Sequence, residues 1–164
     1  METALAFLIP EADPVVADFR ARHDSSAAEG MSAHVTVLVP FAQHDAIDAS
    51  TLRTLIAETA PFDLVFARSE RFPGTLWLAP EPAEPIAALT ERLTARFPDY
   101  PPYGGQFPVV IPHLTVAQGA DAVLDTVAAA LAPRLPFRTR VERCTLFAHA
   151  PGRWHEIESF PLGR

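Results

Sequence analysis

Two short runs hold the residues best suited to chemistry. "MSAHVTVLVPF" (31–41) and "IPHLTVAQG" (111–119) each set a histidine and a threonine two apart, followed by valine. In an extended strand, positions i and i+2 share a face. His34 and Thr36 therefore point one way and Val35, Val37 and Val39 the other; His113 and Thr115 likewise oppose Leu114 and Val116. The apolar faces call for a core, and the polar faces for solvent, a partner or a cleft. If the two polar faces converge, they make a site of two imidazoles and two hydroxyls. Histidine's ordinary pKa lets one ring serve as general base and the other as general acid near neutral pH, each role contributing about 10² to 10⁴ in rate. Threonine hydroxyls can hydrogen-bond phosphate oxygens, and an imidazolium stabilises charge developing on pentacoordinate phosphorus. Phosphodiester cleavage fits these parts.

Elements that alternate with these runs must position them. "TALAFLI" (3–9) predicts a strand, and "DPVVADFRARHD" (13–24) a helix with Asp13 as N-cap and Pro14 at its first position. Residues 25–32 read as a loop. After the first H-x-T strand, residues 48–60 predict a helix with Leu52, Leu55 and Ile56 on one face. "FDLVFARS" and "TLWLAP" flank a Pro73-Gly74 turn, and residues 84–97 predict an amphipathic helix. Residues 98–112 are rich in proline and glycine and form the longest irregular segment, holding both tyrosines, Tyr100 and Tyr103. Beyond the second H-x-T strand come a helix over 121–131 and one long hairpin, "FRTRVERCTLFAHA" with "RWHEIESF", turning at Pro151-Gly152.

The order of features recurs. Each H-x-T-V strand precedes a helix, a Pro-Phe pair (Pro61-Phe62, Pro136-Phe137), an alternating strand, a Pro-Gly turn and a strand with tryptophan (Trp77, Trp154). This predicts an internal duplication in which a pseudo-twofold brings the polar faces together. With six histidines in the chain, on the order of one H-x-Ser/Thr arises by chance, so the matched pair is the signal.

Composition bounds the partners. The 164 residues, 49% hydrophobic and 20% charged, suit one globular domain. The net charge is -7, with arginine as the only basic residue apart from histidine, which argues against a groove for long nucleic acid. A lone cysteine, Cys144, allows neither an intramolecular disulfide nor a thiolate metal site. No H-x-H, H-E-x-x-H or acidic cluster adjoins either motif, so a metallohydrolase is the weakest of three readings and no cofactor is expected. The N-terminus lacks a basic lead and a cleavage site, and no run reaches membrane-spanning length. The expectation is a soluble, cytoplasmic, monomeric protein.

"AHVTVLVPF" and "PHLTVAQG", 79 residues apart, together with "YPPYGG" before the second, resemble the 2H phosphoesterase superfamily, specifically its 2'-5' RNA ligase-like branch. The resemblance spans nearly the whole chain. It implies an α+β, bilobal, pseudo-twofold duplicated fold, with two antiparallel sheets lining a central cleft and helices outside. It also implies metal-free action on a 2',3'-cyclic phosphate or 2'-5' phosphodiester of a small nucleotide or RNA end. By the same resemblance His34 and His113 match the catalytic pair, and Thr36 and Thr115 the phosphate-binding partners. Members of that branch often carry a basic residue shortly after the second motif, where this chain has Gln118 and Gly119; a small nucleotide-like diester is therefore preferred over a polynucleotide end. Tyr103, in the proline-rich loop, is a candidate for stacking on a base. The alternative is a module that binds a nucleotide phosphate without turnover.

Overall fold

The computed structural model describes residues 2–163. Its elements run β1 (Glu2–Leu8), α1 (Asp13–His23), α2 (Ser25–Ala28), β2 (His34–Phe41), α3 (Ala49–Ile56), β3 (Phe62–Phe72), β4 (Thr75–Glu81), α4 (Glu84–Arg96), β5 (Leu114–Gln118), α5 (Asp121–Leu131), β6 (Phe137–Val141), β7 (Arg143–Ala150) and β8 (Arg153–Pro161). The strands form two antiparallel four-stranded sheets, in the orders β2-β1-β7-β8 and β5-β4-β3-β6. The fold is α+β, as the sequence predicts.

Strand composition tracks place in the sheet. β1 and β4 are near-continuous apolar runs whose middle five residues are all buried, and each lies inside its sheet. A strand covered on both faces has no position that favours a polar residue. β2 and β5 are edge strands, and there the histidines and threonines stay half-buried while Val35, Val37, Leu114 and Val116 are buried. The alternation in β2 ends at Val37. A bulge in its pairing with β1 turns Leu38 into the core and leaves Val39 half-buried, contrary to the sequence expectation for Val39.

The two units that occupy equivalent places are β1-α1-β2 and β4-α4-β5, each a strand, a helix and an edge strand bearing a motif. Their helices cross over: α1 packs against β5, and α4 against β2. Thr90 of α4 donates to the Val37 carbonyl at 2.7 Å, satisfying an acceptor at the edge of β2. Residues of both sheets, among them Phe7, Phe66, Leu78 and Phe160, share one hydrophobic cluster. The helix exchange therefore holds the two edge strands beside each other.

Three further expectations need correction. The long strand before the last turn is two strands: β6 pairs with β3 in one sheet, and β7 with β1 and β8 in the other. Glu142 and Arg143 are consecutive exposed residues between buried Val141 and Cys144, so the period of two breaks there and the chain changes sheet. The stretch after α1 opens with α2, capped by the Asp24 carboxylate, which accepts from the Ser26 N–H at 3.0 Å. Asp13 is the first residue of α1 rather than its cap, because a 3-10 turn over Pro10–Ala12 leads into the helix.

Candidate functional site

The motif strands adjoin, and the two imidazoles are close enough for the charge of His113 to act on His34. His34 opens β2, and His113 immediately precedes β5. Antiparallel partners share a face, so register extends the polar faces into the sheets. Thr36 aligns with Ala6, which aligns with Thr145 and, beyond it, Ser159. Thr115 aligns with Trp77, and Trp77 with Glu70.

Both imidazoles are held by the same device. Nδ1 of His34 lies 2.8 Å from the Ser32 carbonyl, and Nδ1 of His113 lies 2.7 Å from the Ile111 carbonyl. A carbonyl only accepts, so each Nδ1 carries the proton and donates it. Each Nε2 is then the atom free to take or give a proton to a ligand. In both cases the acceptor sits two residues before the histidine. The bend that takes the chain into the edge strand thus also fixes the ring.

Their electrostatic surroundings differ. Burial pushes the pKa of His34 down to about 4; the Arg20 cation and His113 add to the depression, against the Ser32 carbonyl and Asp24. Burial also lowers the pKa of His113, opposed by the Ile111 carbonyl. Arg20 is itself buried and ion-paired, its Nε 2.9 Å from Asp24 Oδ2, while its Nη2 donates to the Met31 carbonyl at 2.8 Å. His113 has an aromatic wall instead: Phe72 meets it edge-on at 5.1 Å and Trp77 at 5.9 Å between ring centroids. Trp77 is 5% exposed, and its Nε1 has no hydrogen-bond partner among the described residues.

Tyr103 comes to the first motif although it precedes the second in sequence. The segment that carries it packs against β2, and burial raises the pKa of its phenol, opposed by the Thr36 side chain. It takes a left-handed backbone conformation, with φ of 53° and ψ of 34°, ahead of Gly104 and Gly105, which also have positive φ. A non-glycine residue held there is strained, and such strain gathers where a side chain must be aimed.

Other aromatic, basic and polar side chains disperse. Trp154 is half-buried against His149, whose Nε2 pairs with Glu29. Arg140 pairs with Asp63, and Arg143 donates to Ser159. Cys144 is buried in the core, which pushes its thiol pKa up. Gln118 accepts from the Ser25 backbone N–H and hydroxyl, both at 3.1 Å, tethering β5 to α2. Among the described residues no three His, Cys, Asp or Glu side chains cluster as a metal site would require, and no helix is long and apolar enough to cross a membrane.

Sequence reading missed the Arg20–Asp24 pair and Phe72. An Arg-x-x-x-Asp spacing on a helix usually marks a solvated surface pair, but here the pair is buried, with Arg20 also bonded to the Ser26 hydroxyl and the Met31 carbonyl. Trp77 is buried, on the face of Thr115.

The sequence pattern of the 2'-5' RNA ligase superfamily matches residues 9–153. The chain belongs to the 2'-5' RNA ligase superfamily. Solved structures agree on the fold. E. coli LigT complexed with 3'-AMP is 18% identical, with a TM-score of 0.63 over 99% of this chain and 98% of LigT. The complex of LigT with NADP+ gives 17% identity and a TM-score of 0.63, over 99% and 98% of the two chains. TT0787 of Thermus thermophilus is 19% identical, with a TM-score of 0.63 over the whole of both chains. No curated protein matches the chain in sequence. The family assignment agrees with the resemblance drawn from the paired motifs.

Proposed function

We propose that this superfamily member is a metal-independent phosphodiesterase, working as a single bilobal domain on a 2',3'-cyclic phosphate or 2'-5' phosphodiester of a small nucleotide or RNA end. The observation that carries the reading is the matched anchoring of two neighbouring imidazoles, each with Nδ1 committed to a carbonyl and Nε2 free. Thr36 and Thr115 would hold non-bridging phosphate oxygens. Tyr103, now on Thr36, would flank the bound nucleotide.

On a cyclic phosphate, a water oxygen forms a bond to phosphorus while one ring takes the water's proton. The bond from phosphorus to one ribose oxygen breaks, and that oxygen takes a proton from the second ring, leaving a nucleoside monophosphate. The base must be neutral and the acid protonated. The deeper depression at His34 suits it to be the base. His113 then becomes the acid, because the negative charge of a bound diester favours its imidazolium. LigT is seen with 3'-AMP and with NADP+, which supports a small nucleotide as ligand.

The test is turnover of nucleoside 2',3'-cyclic phosphates and a 2'-5' linked dinucleotide with excess chelator present. Wild type is expected to cleave at least one, with His34→Ala and His113→Ala each slower by about 10² to 10⁴. Binding of nucleotide with no turnover on any diester would instead establish the module that binds without catalysis. Activity abolished by chelator would establish a metal-dependent hydrolase.

A further inference from the structure

Beside the candidate site, an open cavity of about 610 Å³ lies between α4 and the proline-rich segment. That volume is within the usual range for small-molecule sites. Thr36 lines it, as does Pro112, the neighbour of His113, so a ligand held at the two motifs has a direct route into it. The walls are mostly apolar: Ala87 and Ala95 of α4 on one side, Phe107 and Val109 on the other. The segment also leaves large apolar side chains in solvent, with Phe107 54% exposed and Val109 71% exposed. Tyr103 braces Phe107 edge-on, at 5.7 Å between ring centroids.

Among the described residues, Glu91 is the one charged residue lining this cavity. The cations near it are engaged elsewhere: Arg92 faces Glu58 and Thr59, and Arg96 lies over the Phe97 ring. The hydroxyls of Thr90 and Thr94 are spent on main-chain carbonyls, at 2.7 Å to Val37 and 2.8 Å to Thr90. A flat aromatic ligand with N–H donors on one edge therefore meets mostly apolar walls and one carboxylate, which only accepts.

We infer that this cavity receives the nucleobase of the substrate, and that Glu91 selects bases with a donor edge, guanine above all. Guanine offers an imino N–H and an adjacent amino group, which one carboxylate accepts together. Adenine and cytosine each present an amino group. Uracil presents one N–H between two carbonyls that the carboxylate repels. The inference rests on the proposed phosphodiester function and adds to it the class of base.

The experiment compares kcat/KM for guanosine and uridine 2',3'-cyclic phosphates in wild type, Glu91→Ala and Glu91→Gln. Glu91 is exposed on α4, and thermal melting of each variant checks that its fold is intact. Wild type is expected to prefer guanosine by roughly tenfold to a hundredfold, the range of charged hydrogen bonds. Glu91→Ala should bring the ratio close to one, and Glu91→Gln should move it further toward uridine, because an amide also donates. A guanosine preference untouched by either variant, or a wild-type preference for uridine, overturns the assignment. If wild type cleaves neither substrate, the phosphodiesterase reading fails for them, and binding of guanosine and uridine 3'-monophosphates decides the cavity. Tighter guanosine binding that depends on Glu91 sustains it; equal binding, or none, rejects it.

Discussion

The two motifs share a backbone device and differ in what surrounds it. Each histidine donates Nδ1 to a carbonyl two residues upstream. Behind His34, however, lies a buried ion pair, and beside His113 lies an aromatic wall. A duplicated strand therefore supplies ring orientation twice, while the packing around each copy sets how readily it holds a proton. An acid and a base differ in that property, so two identical surroundings would serve the proposed reaction poorly.

Substituting the rings themselves gives the largest expected effect. His34→Ala and His113→Ala should each lower kcat/KM on a cleaved diester by about 10² to 10⁴, with the double variant far from additive because the groups act in one step. A surviving rate in only one of them would break the symmetry of the acid–base reading. Next comes the ion pair. Arg20→Ala leaves Asp24 buried and uncompensated, and should destabilise the protein by about 3 to 5 kcal/mol in chemical denaturation. A cost below about 1 kcal/mol would show that the pair is dispensable to the His34 side.

Acid sharpens the comparison further. His34 binds a proton less readily folded, at about pH 4, than unfolded, at about 6.5. Between those values the unfolded state holds more protons, so stability falls as pH drops from 6.5 toward 4 and then levels. The whole interval corresponds to about 3 kcal/mol, most of which His34→Gln should remove from a series of denaturation curves across that range. The same substitution at His113 should act in the same direction and less strongly. A larger acid effect at His113 would reverse the assignment of base and acid.

The smaller effects probe the walls. Trp77→Phe removes an indole N–H that has no partner among the described residues, so its expected cost is mainly packing, about 1 to 2 kcal/mol. Thr90→Val keeps the volume but loses the bond to Val37 at the edge of β2, about 1 kcal/mol. Gln118→Ala, which cuts the exposed tether on the β5 side, should cost less than Thr90→Val by the same denaturation measurement. Equal costs would mean that the two edge strands are braced alike.

Much of the fold is legible because its signals are local. The apolar runs of β1 and β4, the alternation in the motif strands up to the bulge in β2, and the Pro-Gly turns read correctly from sequence. The error in the last hairpin came from treating Glu142-Arg143 as part of an alternating strand; two charges in succession were the visible sign that β6 and β7 serve different sheets. α2 was missed because four residues after an Asp cap carry too little pattern to distinguish a helical turn from a loop. Phe72 and the Arg20–Asp24 pair were illegible for another reason. Their relation to the site depends on which strands pair and which helix crosses, and neither is encoded within a short window.

The sequence by itself determined the chemistry on offer: two imidazoles and two hydroxyls on strand faces, set by a side-chain period that is a property of the backbone. Tertiary structure alone decided that those faces belong to neighbouring edge strands, that Tyr103 reaches Thr36, and that one ring backs onto an ion pair and the other onto aromatics. Those outcomes depend on contacts between residues far apart in the chain. Burial and local charge, which set each proton affinity, exist only once those contacts form.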